Sequence, residues 1–309
     1  MREHLLVRTR RGAYVALVVL TLIWGLNWIA LKFALARADP VILNVHRTWI
    51  AVIVLFAILI SQRHPFWPTS WVAVVVTGFF QTTVNFSATT LALAGGGVGR
   101  TSVLVFTMPF WTLLIAWPVL HERVRGAQWI AVAFALVGLT LVVEPWNWHG
   151  DLGPKLWAVL SGFGWAAGTV ATKYFQRGRK LDPLNFLAWQ MLAGVIPITF
   201  LPFLLGSPAP QWSVTYALLL LYVGAVSTGL AFLLWVTILR FLPAGTASLN
   251  MFAIPVIALV SSMIVFGERL TSAEWLGIAC IGAGLVIVTI TALRAHRDVP
   301  PATAPLEGG

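Results

Sequence analysis

Lys32 and Lys173 each interrupt a long apolar run. A lysine at the bilayer centre costs roughly 2.5–3.5 kcal/mol on insertion scales, so it needs a use or an escape. Two readings stay open. Each side chain snorkels to the membrane interface, or each faces a cavity as a gate and pairs with an anionic or zwitterionic molecule. Trp24 and Asn27 are three residues apart and share one helix face; Trp165, Thr169 and Thr172 repeat the pattern later. A buried Asn without a partner is costly in hydrocarbon, so Asn27 must meet protein or water. Gln81 or Thr82, then Asn85, then Thr89 make a polar stripe, and Ser227 and Thr228 hold the matching place further on. Such a stripe is either a cavity wall or interhelical glue. Asn250 stands five residues before Pro255, where it could cap freed backbone or face a substrate. Pro109 and Pro255 fall mid-span and predict helix kinks, static or used in gating. Arg47 reads as a tie between helix ends rather than a binding residue.

Other chemistries lack their residues. The ten acidic residues lie near span ends, in loops or in tails, so no mid-helix carboxylate stands ready to carry a proton or sodium ion. No phosphate-binding glycine loop, His/Glu metal spacing or Ser/His/Asp set is present, and a single cysteine, Cys280, excludes an internal disulfide. Neither enzymatic activity nor a cofactor is expected, and no metal site.

These residues sit in elements that a bilayer must hold. Charged residues are 10% of the chain, apolar residues 59%, and the mean hydropathy is +0.88. That is too little charge to coat a soluble globule, which carries about 25%. Runs of about 20 apolar residues give ten spans near 13–35, 40–61, 71–92, 100–120, 126–143, 153–174, 184–205, 213–238, 246–266 and 274–293. The first run is too long for a signal-peptide core of ~7–15 residues and reads as a retained helix. The net charge of +10 comes from short basic loops, so it reports topology and not nucleic acid. With both termini cytoplasmic, thirteen Lys and Arg fall in inside loops and four outside.

An internal repeat is the strongest pattern. Shifted by 146, residues 78–143 lie on 224–289 without a gap, and 18 of 66 positions are identical. They include Gly78/Gly224, Phe86/Phe232, Pro109/Pro255, Glu122/Glu268, Trp129/Trp275 and Gly138/Gly284. A shift of 141 lays Trp24 and Lys32 on Trp165 and Lys173. Five helices per unit is odd, so the second copy enters the membrane from the opposite side. The expected fold is an all-α membrane protein of about ten transmembrane helices in two inverted five-helix repeats, the architecture of many secondary transporters.

Several motifs carry a family resemblance: Trp24-Gly25-x-Asn27 with Lys32, Pro40 with Arg47, the stretch Thr101–Pro109, and Glu122-Arg123 and Glu268-Arg269, each leading into a Trp- and Gly-containing helix. Over about residues 13–291 the chain resembles EamA-type exporters of the drug/metabolite transporter superfamily. The resemblance implies two EamA repeats, at 13–143 and 153–291, and a cavity between the halves; before them lies a basic cytoplasmic N-terminus (1–12), and the tail 298–309, rich in Pro and Gly and without apolar periodicity, is expected to be disordered. It implies that helices 1, 3, 4, 6, 8 and 9 line that cavity, where Trp24, Asn27, Asn85, Trp165 and Asn250 would sit. Gln81 and Thr169 join that set from their spacing.

The expectation is a secondary transporter of the inner membrane that exports a small amino acid-like or amphipathic metabolite by alternating access. A non-transporting scaffold or receptor and a membrane-embedded lipid-modifying enzyme are the alternatives. Expected partners are the small-molecule substrate and the lipid bilayer, with no nucleic acid; a homodimer is compatible with the sequence but not demanded by it.

Overall fold

The computed structural model describes residues 9–122, 126–144, 146, 152–177, 181–241, 251 and 253–297. Asn250 and the tail 298–309 lie outside them. Among the described residues the chain forms ten helices and no strand: α1 (Arg10–Leu35), α2 (Pro40–Ser61), α3 (Trp71–Gly95), α4 (Val98–Leu120), α5 (Ala127–Val143), α6 (Leu152–Gln176), α7 (Pro183–Leu205), α8 (214–241), α9 (Ala253–Phe266) and α10 (Ser272–Arg297). Seven of these, α1 to α4, α7, α8 and α10, are long and apolar enough to cross a bilayer. Helices α5 and α9 are apolar but shorter as described. Helix α6 has the length, 25 residues, but Lys155, Ser161, Thr169, Thr172 and Lys173 dilute its hydropathy. Large apolar side chains such as Phe203 and Ile264, 83% and 77% exposed, face outward where lipid belongs.

Local sequence explains the helix starts. Asp39 accepts from the Val41 N–H at 2.9 Å and Asp182 from the Asn185 N–H at 2.8 Å, each just before a proline in the first turn. The carboxylate satisfies an orphan donor, and proline has no N–H to lose there.

The two copies interlock rather than standing side by side. Helix α3 packs on α6 as α8 packs on α1; α4 packs on α6 as α9 packs on α1; α2 packs on α8 as α7 packs on α3. The self-matched pairs α2/α7 and α5/α10 also meet. Each relation survives exchange of the copies, which is what an approximate two-fold axis requires. At the α5/α10 seam a Cβ on Gly138 would come 2.5 Å from the Gly277 carbonyl oxygen, and one on Gly284 2.8 Å from that of Ala131. Only glycine permits this backbone approach.

Two irregularities fall near the molecular centre. Helices α3 and α8 each contain a π-helical stretch, Phe79–Val84 and Leu221–Leu230, which overlap under the 146-residue shift. Such wide turns often occur at functional sites. Helix α4 is broken: one segment ends at Val105 and the next starts at Met108. Pro109 therefore lies in the first turn of the second segment, beside the break, where its missing N–H costs little. Pro255 likewise lies in the first turn of α9 as described.

Candidate functional site

A cavity of about 110 Å³ opens between the copies, near the middle of α1, α3, α6 and α8. Trp24, Asn27, Asn85 and Trp165 line it, together with Arg47, Phe86, Thr89, Ser227, Thr228 and Phe232. Met251 and Ile254 complete one wall, and Val105, Phe106 and Met108 bring the break in α4 to its edge.

Its aromatic wall is built from duplicated residues. Phe232 packs edge-to-face on Trp24 at 5.4 Å and on Phe86 at 6.1 Å, and lies 5.6 Å from Trp165. Trp24 also donates its indole N–H to the Ser227 carbonyl at 3.0 Å, which fixes the ring on α8. A buried Trp needs such a partner.

The polar stripe of α3 proves to have two jobs at one position. Asn85 donates its amide to the Ser161 carbonyl and hydroxyl, both at 2.9 Å, while its side chain also borders the cavity. Thr89 meets the same Ser161 hydroxyl at 2.6 Å. Thr169 donates to the Trp165 carbonyl of its own helix at 2.9 Å, and Gln81 accepts from Gln190 at 3.3 Å; neither is among the cavity-lining residues.

Two cavity groups have no protein partner. The Asn27 side-chain oxygen and the Arg47 Nε are buried and without a hydrogen bond. Arg47 is 4% exposed, and its guanidinium carbon lies 4.3 Å from the Phe86 ring centroid. It reaches the cavity from α2 instead of tying helix ends together, which corrects the expectation for this residue. The available signal was a lone charge well inside an apolar span with no acid near it.

The lysines lie outside the cavity lining. Lys32 donates to the Leu93 and Gly96 carbonyls at 2.7 and 2.8 Å, closing the C-terminal end of α3. Glu268 approaches the same connection from α9's end and accepts from the Gly99 N–H at 2.8 Å, capping α4. Lys173 instead pairs with both Glu122 oxygens at 2.7 Å, with Arg177 beside them at 3.4 Å. Lys173 and Glu122 are 57% and 42% exposed, against 9% for Glu268. The duplicated charges thus form a closed arrangement at one end and an open one at the other.

Comparison with known proteins agrees with this architecture. The model of the EamA-like transporter family matches residues 11–144 and 154–290. The uncharacterized transporter YoaV of Bacillus subtilis is 25% identical over 91% of this chain and 97% of its own length. A probable amino-acid metabolite efflux pump of Salmonella typhimurium is 26% identical over 94% of this chain and 98% of its own. A solved crystal structure shares the fold, with a TM-score of 0.64 at 19% identity over 93% of this chain and 99% of that one. Two family matches end to end account for the duplicated helices around one cavity: the chain belongs to the EamA-like transporter family and is a multi-pass membrane transporter, not an enzyme.

Proposed function

We propose that this transporter exports a small polar or amphipathic metabolite, amino acid-like in size, across the inner membrane by alternating access, with both termini cytoplasmic. The observation that carries this reading is the cavity between the copies, where Asn27 holds an unsatisfied acceptor among aromatic walls. A scaffold would have no use for that acceptor. A site between inverted repeats can be exposed to either side by rocking one copy against the other. The basic loops, thirteen against four, support the orientation. The relative described as a probable amino-acid metabolite efflux pump supports the substrate class. Lys32, held by the Leu93 and Gly96 carbonyls, and Lys173, paired with Glu122, are assigned to the two gates.

The test is efflux. Cells carrying the wild-type chain and cells lacking it are loaded with individual amino acids and related metabolites, and the rate of release is compared. Faster release of at least one metabolite from wild-type cells is expected. Identical release across the panel overturns the reading.

A further inference from the structure

We infer that Arg47 is the anion subsite of this cavity and that the substrate carries a carboxylate on an apolar or aromatic body. The inference rests on the transport reading and narrows its substrate class.

The guanidinium has five N–H donors and cannot lose its charge in a protein. Arg47 is 96% buried by its 4% exposure, lines the cavity, and leaves its Nε–H unpaired. Among the described residues no carboxylate forms an ion pair with it, and no Asp or Glu lines the cavity. The Arg47 guanidinium carbon lies 4.3 Å from the Phe86 ring centroid, a cation–π contact that uses none of the N–H donors on the guanidinium edge. Two parallel N–H donors on such an edge match the two oxygens of a carboxylate.

The duplication supplies an internal control. The residue matching Arg47 in the second copy is Gln190, which is neutral and bonds to Gln81 at 3.3 Å. Helix packing at this place is therefore achieved without a charge, so packing does not explain the arginine. Trp24, Trp28, Trp165 and Phe232 supply the surface for an apolar body, and the Asn27 oxygen accepts from an amine or hydroxyl beside the carboxylate.

The test uses the full chain purified in lipid nanodiscs, read by quenching of tryptophan fluorescence and by melting temperature. The probes are the amino acids leucine, phenylalanine, methionine and tryptophan, each paired with its carboxamide, with inorganic phosphate as a third arm. At least one acid should respond saturably while its amide and phosphate do not. Arg47→Gln, which installs the residue of the second copy, should weaken that acid at least about tenfold, the range for a lost hydrogen bond to a charged group. Arg47→Lys should retain part of the binding, which keeps the test open if the Gln variant misfolds. No response to any acid, an equal response to amide or phosphate, or full binding by Arg47→Gln overturns the inference. Because binding is read on purified protein, a carrier of uncharged metabolites would fail here yet pass the efflux test.

Discussion

Phe86 and Phe232, the same residue in the two copies of the repeat, meet edge-to-face with ring centroids 6.1 Å apart. Their contact places the approximate two-fold axis in the cavity wall. What departs from symmetry around it is then informative. Asn27 is matched by Gly168, Asn85 by Ala231 and Arg47 by Gln190. Trp24/Trp165 and Phe86/Phe232 are duplicated rings, whereas these three polar side chains occur in the first copy alone.

Asn27→Leu should separate function from stability. The Asn27 oxygen is buried without a partner, so its removal relieves a desolvation cost of about 1 kcal/mol or more. We expect export to be largely lost while the melting temperature is unchanged or raised. A clear drop in melting temperature would mean that the side chain holds the fold instead.

Asn85 should behave differently. Its amide links α3 to α6 through two 2.9 Å bonds to Ser161, so Asn85→Ala removes an interhelical tie of about 0.6–2 kcal/mol as well as part of the cavity wall. Both export and melting temperature should fall. A double-mutant cycle with Ser161→Ala measures the tie, and zero coupling energy would contradict it.

The contrast between Asn85 and Gln81 shows where sequence reading stops. The ten spans were legible because hydropathy marks them, and the inverted repeat because Pro, Trp and Glu-Arg recur at fixed offsets. Gln81 and Asn85, four apart, read as one stripe on a regular helix. The π-helical stretch Phe79–Val84 separates them with a wider turn, and Gln81 ends up bonded to Gln190 instead of facing the cavity. Hydropathy does not reveal a π turn. Arg47 was read as a tie between helix ends for another reason: the sequence shows a lone charge inside an apolar span, but only packing shows that it borders the cavity.

The two lysines should not respond alike. Two carbonyls converge on the compact Lys32 ammonium, and the longer, forked arginine does not reproduce that geometry. Lys32→Arg should therefore slow export markedly. Lys173 shares an exposed pair with Glu122, worth about 0–1 kcal/mol, and Lys173→Arg should export at near wild-type rate. Equal export rates for both variants would remove the distinction drawn here.

Gly138→Val should reduce the yield of folded protein. Its Cβ would stand 2.5 Å from a backbone oxygen that no rotamer change can move, and overpacking of this kind costs about 1–3 kcal/mol. Gly282→Ala, on the same α10 partner but with nothing within 4 Å, is the control and should melt as wild type does. Size-exclusion profiles and melting curves of the two variants check this.

Orientation can be read with reporter fusions. A cytoplasmic reporter at Gly309 should be active, and one inserted between Trp146 and Asp151 inactive, with a periplasmic reporter giving the reverse. The same side for both positions would remove the ten-helix arrangement with both ends inside.

Where α5 and α10 touch, Gly138 lies on Gly277 and Gly284 on Ala131, backbone to backbone. Such a joint has no rotamers to absorb a shift, whereas the contacts across the cavity wall run through side chains. In the rocking motion proposed for the two copies, a rigid seam of this kind would serve as the fulcrum, where displacement is least.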